Sequence, residues 1–189
     1  MSVGSGARPM AKRIYLVRHG KAAGQEPEAP LTAEGVRQAR ELVRFFEDRH
    51  IEFIVSSPYV RAVETIRPLA ERLGLDIRTD HRLKERVLSS APLDDWMTRL
   101  EETFRTPDLK FEGGESSREA AERGLAVIRE LAERPENAMV AVSHGGLLAL
   151  LIRHYDPSFG FTEWKRMTNP DVYELEIGDG GASVRRWTL

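Results

Sequence analysis

Residues 14–20 read IYLVRHG and residues 139–145 read MVAVSHG, so the same pattern occurs twice in the chain. In each stretch four apolar residues lead to one polar residue, which is followed by histidine and glycine. An apolar run of this kind is typical of a strand that is buried on both faces of a parallel sheet. The two histidines, His19 and His144, are therefore predicted to follow two buried strands.

Helical patterns separate these strands along the chain. The first predicted helix follows Thr32, a capping residue, and its apolar residues lie three and four positions apart. This apolar stripe is formed by Val36, Ala39, Val43 and Phe46. Ser57, which precedes a proline, is typical of a second helix start, and Ser116 with Glu119 forms a capping-box pattern for a third.

Strands alternating with helices predict a three-layer α/β/α fold with a mainly parallel central sheet. Near the C-terminus, two stretches of alternating hydrophobicity flank the glycine-rich residues 178–181. This arrangement predicts an antiparallel hairpin that closes the sheet. The fold class expected from the sequence is therefore α/β.

The length, composition and charge restrict the class of protein. The 189 residues fit one domain, which we expect at residues 12–189 after a flexible leader at residues 1–11. The chain has no cysteine, so disulfides, thiolate metal sites and cysteine nucleophiles are excluded, and a cytoplasmic location is expected. A net charge of −2 gives no indication of a nucleic-acid or membrane partner, and no feature sets an oligomeric state.

The predicted strand ends carry the candidate site, because ligands of such sheets bind beyond the carboxyl ends of the strands. These ends present Arg18 with His19, and His144 with Gly145. One histidine at a strand end is more often structural, but two in equivalent positions indicate a shared site. A metal site would need further histidine or carboxylate ligands at the strand ends, and none is evident. Arginine beside histidine instead favours phosphate chemistry without a metal.

Four motifs in order extend this interpretation to a known family. They are RHG at residues 18–20, LTAEG at 31–35, SPYVRAVET at 57–65 and SHG at 143–145. This set resembles the histidine phosphatase superfamily, whose members are phosphoglycerate mutase-like proteins. The resemblance spans residues 14 to about 150 and implies the phosphoglycerate mutase-like α/β fold, with no cofactor and no metal.

The resemblance implies a role for each residue of these motifs. His19 would be the nucleophile that takes the phosphoryl group, forming a phosphohistidine that water then hydrolyses. Arg18, Arg61 and His144 would stabilise the oxygens of the transferring group. Gly145 would allow the backbone to approach the substrate closely.

The leaving alkoxide also needs a proton, and a positioned acid typically contributes ~10²- to 10⁴-fold to the rate. Glu85, within RLKER at residues 82–86, matches the place where many family members carry a catalytic glutamate. Alternatively, Glu85 pairs with Lys84 and Arg86 on a solvated loop. Weaker substitutes for the acid are Asp94, Asp95 and Glu115. Lys21 is a candidate for binding a second anionic group of the substrate, although an exposed loop lysine is the commoner case.

Two departures from the mutase pattern favour hydrolysis. Residues 21–25 read KAAGQ, where the mutase branch usually carries Glu-Ser and Trp-Asn pairs. Glu85 and His144 are only 59 positions apart, which leaves little room for the long lid insertion of a mutase. A mutase must shield its phosphohistidine from water, whereas a phosphatase must admit water.

The sequence therefore predicts a histidine acid phosphatase-like phosphomonoester hydrolase that acts on a small phosphorylated metabolite. The alternatives are a phosphoglycerate mutase, a phosphohistidine-protein phosphatase and a non-catalytic phosphate-binding module.

Overall fold

The computed structural model describes residues 11–189. The strands are β1 (Lys12–Arg18), β2 (Phe53–Ser56), β3 (Ile77–Thr79), β4 (Ala138–Ser143), β5 (Asp171–Gly178) and β6 (Gly181–Trp187). The helices are α1 (Ala33–Phe46), α2 (Val60–Leu73), α3 (Trp96–Arg105), α4 (Ser117–Ala132), α5 (Gly145–Tyr155) and α6 (Phe161–Lys165). Apart from Ala11, the leader expected at residues 1–11 lies outside the described residues.

The strands form one six-stranded sheet in the order β3-β2-β4-β1-β5-β6. Strands β3, β2, β4 and β1 run parallel to one another, while β5 is antiparallel to β1 and β6 is antiparallel to β5. Helices cover both faces of the sheet. The predicted α/β class, the mainly parallel sheet and the closing hairpin are confirmed.

Two apolar cores, one on each face of the sheet, hold the helices in place. The first core packs Ile128 of α4 and Leu147 of α5 against the strands, and both side chains are almost completely buried. The second core packs Phe46 of α1 and Ile66 of α2 against the opposite face. Every residue of β4 is buried, as expected for a strand covered on both sides.

The register of the sheet brings the predicted strand ends together. Arg18 at the end of β1 pairs with Ser143 at the end of β4, so His19 and His144 leave the sheet at the same level. Ser56 at the end of β2 pairs with Val142 on the other side of β4. The segments that follow these three strands therefore meet at one edge of the sheet.

Two details of the helices differ from the sequence prediction. Helix α2 begins at Val60 with Tyr59 as its N-cap, so Ser57 does not cap it as expected. In α1, Thr32 is the N-cap as predicted. Its buried face contains Leu42 in place of the predicted Val43, and Val36 of the predicted stripe is 39% exposed. The buried face of α1 is rotated from the predicted stripe because the helix packs against both α2 and the sheet.

Candidate active site

His19 lies immediately after β1 and is 8% exposed. Its Nδ1 lies 2.7 Å from the carbonyl oxygen of Gly20. Since a carbonyl only accepts, Nδ1 carries the hydrogen in the neutral ring, and Nε2 is left unprotonated with a lone pair that can accept a hydrogen bond. The backbone therefore fixes the ring in the tautomer whose Nε2 carries no hydrogen.

Arg61 lies in the first turn of α2 and is 2% exposed. Its Nε donates to Nε2 of His19 at 3.3 Å, and its Nη1 donates to the backbone carbonyl of Glu26 at 2.7 Å. The guanidinium group also lies over the ring of Tyr59, with 5.1 Å between its carbon and the ring centroid. The structure thus places Arg61 beside Nε2 of His19.

His144, at the N-terminus of α5, is 1% exposed and lies next to His19, with 5.1 Å between ring centroids. Its Nε2 and the Oγ of Ser57 are hydrogen-bonded at 2.8 Å. Its Nδ1 is buried and has no hydrogen-bond partner among the described residues. Ser57 fixes one side of the ring, and the other nitrogen is free to meet a ligand.

Arg18 extends from the end of β1 toward α5 and the segment before β5. Its Nη1 donates to the carbonyl of Met167 at 3.2 Å. A Cβ on Gly145 would lie only 2.9 Å from its Nε, so any larger residue there would displace the Arg18 guanidinium group from this position. Within the described part of the chain, that Nε has no hydrogen-bond partner.

Glu85 is bound to the start of α5, which directly follows His144. Its carboxylate accepts hydrogen bonds from the backbone N–H groups of Gly146 at 3.0 Å, Leu147 at 2.8 Å and Arg86 at 2.8 Å. A Cβ at Gly146 would lie 2.7 Å from Oε1 of Glu85, so a larger residue there would push the carboxylate away from α5. The alternative of a side chain paired with Lys84 and Arg86 on a solvated loop does not match this geometry.

The remaining candidates lie elsewhere. The ammonium group of Lys21 forms an ion pair with Glu34 at 3.0 Å, and its side chain is 60% exposed. Asp94 and Asp95 are exposed at the start of α3, and Glu115 is paired with an arginine of α4. The structure therefore brings together Arg18, His19, Arg61, Glu85, His144 and Gly145, but it does not bring Lys21 to them.

Burial and neighbouring charges keep both histidines neutral. Burial lowers the pKa of His19 to about 4, and the Arg61 and Arg18 guanidinium groups act in the same direction. Burial also lowers the pKa of His144 well below its ordinary value, with a further contribution from His19. A neutral imidazole is the form that can attack an electrophile.

This neutrality makes folding stability depend on pH. Since the pKa of His19 falls from 6.5 to about 4 on folding, its contribution is complete above pH 6.5 and is lost as the pH falls toward 4. Between pH 7 and pH 4.5 we expect wild type to lose roughly 2 to 3 kcal/mol more stability than His19→Asn. Urea unfolding at the two pH values measures the difference. Equal losses in the two proteins would contradict a neutral buried His19.

Three positioning contacts were not predicted from the sequence. The amide of Asn169 donates to the carbonyl of His19 at 3.0 Å. Thr65 accepts from the N–H of Gly20 at 2.9 Å and donates to the carbonyl of Arg61 at 2.7 Å, so it joins the two site segments. Ser57 was expected as a cap and instead holds His144. Thr65 and Ser57 lie inside the 57–65 motif, whereas no local signal marks Asn169.

The described residues contain neither a metal-binding cluster nor a membrane-spanning helix. Between residues 11 and 189, no group of three or more histidine, aspartate or glutamate side chains could hold a metal ion. In the same range, no helix is long and apolar enough to cross a membrane.

Known proteins share both the sequence and the fold of this chain. The sequence profile of the histidine phosphatase superfamily (branch 1) matches residues 14–189. A probable phosphoglycerate mutase GpmB from Salmonella choleraesuis (strain SC-B67) is 32% identical in an alignment of 198 positions, gaps included, that covers 94% of this chain and 90% of the relative. Because the match covers most of both chains, the length of this chain does not distinguish it from that relative.

Among solved structures, a mycobacterial glucosyl-3-phosphoglycerate phosphatase in complex with inorganic phosphate is 28% identical, with a TM-score of 0.74. The match covers 94% of this chain and 96% of that one. A phosphoglycerate mutase from Bacillus anthracis str. Sterne has a TM-score of 0.75 at 20% identity, covering 94% of this chain and 93% of the other, and shows the shared fold. On its motifs, fold and profile match, the chain belongs to the histidine phosphatase superfamily, branch 1.

Proposed function

We propose that the protein is a metal-independent phosphomonoester hydrolase that forms a phosphohistidine on His19. The observation that carries this proposal is the fixed, neutral imidazole of His19, whose Nε2 lies 3.3 Å from Nε of Arg61. In the first step Nε2 attacks phosphorus, a P–N bond forms and the P–O bond to the alcohol breaks. In the second step water attacks the phosphorus, the P–N bond breaks and inorganic phosphate leaves.

The charges around His19 suit the transferring phosphoryl group. Arg18 and Arg61 supply N–H donors, and the unpartnered Nε of Arg18 and Nδ1 of His144 are two buried polar atoms at the site. Donors fixed in advance stabilise the equatorial oxygens without reorganisation during the reaction. The bound phosphate dianion in turn favours the protonated form of His144, which then donates a hydrogen bond.

Glu85 is the proposed acid for the leaving alcohol. Its carboxyl group gives a proton to the departing alkoxide oxygen in the first step and takes one from water in the second. The N–H groups at the start of α5 hold the carboxylate beside His144 between these two transfers. Burial lowers the pKa values of Arg18 and Arg61, and the negative charge of the nearby Glu85 carboxylate raises them.

A small phosphorylated metabolite is the proposed substrate. Two relatives that are more than 25% identical carry the phosphoglycerate group in their names, one as a mutase and one as a phosphatase. Phosphate esters of glycerate and of its glycosides are therefore the first compounds to test.

Phosphate release in EDTA tests the proposal. We expect the purified protein to release inorganic phosphate from p-nitrophenyl phosphate and from members of a phosphoglycerate-containing panel, at a rate that EDTA does not change. Rapid quenching in alkali, which preserves phosphohistidine, followed by mass spectrometry should find the phosphoryl group on His19. Turnover without any phosphorylated histidine would contradict the mechanism.

Mutase activity is the second candidate, because the 32% identical relative is named a probable phosphoglycerate mutase. With 3-phosphoglycerate and a bisphosphoglycerate primer, we expect free phosphate as the main product. Conversion to 2-phosphoglycerate faster than phosphate release would favour the mutase instead.

A further inference from the structure

A partly buried ion pair holds the backbone that carries Glu85. Arg123 of α4 donates from Nε to Oε1 of Glu115 at 2.6 Å and from Nη2 to Oε2 at 2.9 Å. The two side chains are only 16% and 20% exposed. A bidentate pair of this kind is geometrically specific, since lysine cannot reproduce the planar fork of donors.

The same guanidinium group binds three backbone carbonyls of the acid-bearing segment. Nη1 of Arg123 donates to the carbonyls of Arg82 at 2.6 Å and Lys84 at 2.9 Å, and Nη2 donates to the carbonyl of Glu85 at 3.2 Å. Together with the two bonds to Glu115, these contacts use all five N–H donors of an arginine. Arg123 therefore has no donor left for a substrate.

Glu115 binds the backbone that follows Glu85 in the chain. Its Oε2 accepts from the N–H of Val87 at 2.9 Å, so the pair holds the chain both before and after the acid. Residues 84–95 contain no helix or strand, so they lack the backbone hydrogen bonds of regular secondary structure. The bonds from Arg123 and Glu115 hold residues 84–87 in place instead. The position of the Glu85 backbone thus depends on side chains from outside its own segment.

We propose that Arg123 and Glu115 are positioning residues that set the distance from the Glu85 carboxyl group to the leaving oxygen. The proposal rests on the proposed function, since it assigns these residues to the acid step. The carboxyl group must leave the N–H groups of α5 to reach the alcohol, and a fixed backbone limits where it can go. A misplacement of about 1 Å can cost ~10²-fold in rate.

Two aryl phosphates that differ in their leaving group separate positioning of the acid from general damage. Phenyl phosphate has a poor leaving group that needs a proton, whereas 2,4-dinitrophenyl phosphate needs almost none. For Arg123→Ala and Glu115→Gln we expect kcat for phenyl phosphate to fall by ~10- to 10²-fold. For the dinitrophenyl ester we expect kcat to fall by only ~2- to 3-fold. Glu85→Gln should show the same selectivity, and adding Arg123→Ala to it should cause little further loss.

The matched control is Arg118→Ala, on the same helix, where the arginine pairs with Asp108 at the surface. It should leave both rates unchanged. Equal losses of kcat on the two esters would overturn the proposal, and so would a full further loss when Arg123→Ala is added to Glu85→Gln. If Arg123→Ala does not fold, Glu115→Gln alone decides the question. If Glu85→Gln shows no selectivity, this inference fails while the phosphohistidine on His19 stands, so the two proposals fail separately.

Discussion

His19→Ala is expected to reduce phosphate release to the background of a mock purification. Removing the nucleophile of a covalent mechanism costs on the order of 10⁶-fold in kcat. In the proposed mechanism Nε2 of His19 forms the P–N bond, and His19→Ala removes that atom while leaving the contacts of His144 with Ser57 and of Glu85 with α5 in place. Initial rates with p-nitrophenyl phosphate measure the loss, and alkaline quenching should find no phosphorylated protein.

The matched control is His154→Ala, since His154 is exposed at the end of α5. We expect this variant to retain wild-type activity and the phosphorylated His19. Binding of inorganic phosphate to His19→Ala should persist, because Arg18 and Arg61 remain. Substantial turnover by His19→Ala would remove the phosphohistidine from the mechanism.

The strand-end residues could be predicted because local sequence determines them. Four apolar residues precede the polar residue before each of His19 and His144, a pattern typical of strands that are buried on both faces of a parallel sheet. Parallel strands share one carboxyl edge, so the prediction that the two histidines meet follows from the fold class. Their centroid distance of 5.1 Å agrees with it.

The contacts of Glu85 could not be predicted, because they come from distant parts of the chain. Glu85 binds the start of α5 more than 60 positions away, and Arg123 reaches its backbone from α4. No periodicity marks the segment around Glu85, since it contains neither helix nor strand. Likewise, Ser57 has the sequence of a helix cap, but its hydroxyl pairs with His144 instead.

Arg61→Ala is expected to lower kcat/KM by ~10²- to 10³-fold, the usual cost of losing one donor to a developing oxyanion. Arg61 is buried and donates to both Nε2 of His19 and the carbonyl of Glu26. The substitution therefore removes a positive charge beside the phosphoryl group and a contact that fixes the residue 26 loop. Steady-state kinetics with p-nitrophenyl phosphate measure the loss, and inhibition by inorganic phosphate should weaken in parallel.

Two further substitutions test whether geometry or charge is responsible. Arg61→Lys keeps the charge but cannot make both bonds, because an ammonium group lacks the fork of a guanidinium group. We therefore expect it to recover only a small part of the lost activity. Arg67→Ala, at an exposed position of the same helix, should retain wild-type rates. Activity of Arg61→Ala within about threefold of wild type would exclude Arg61 from transition-state stabilisation, since an effective donor contributes far more.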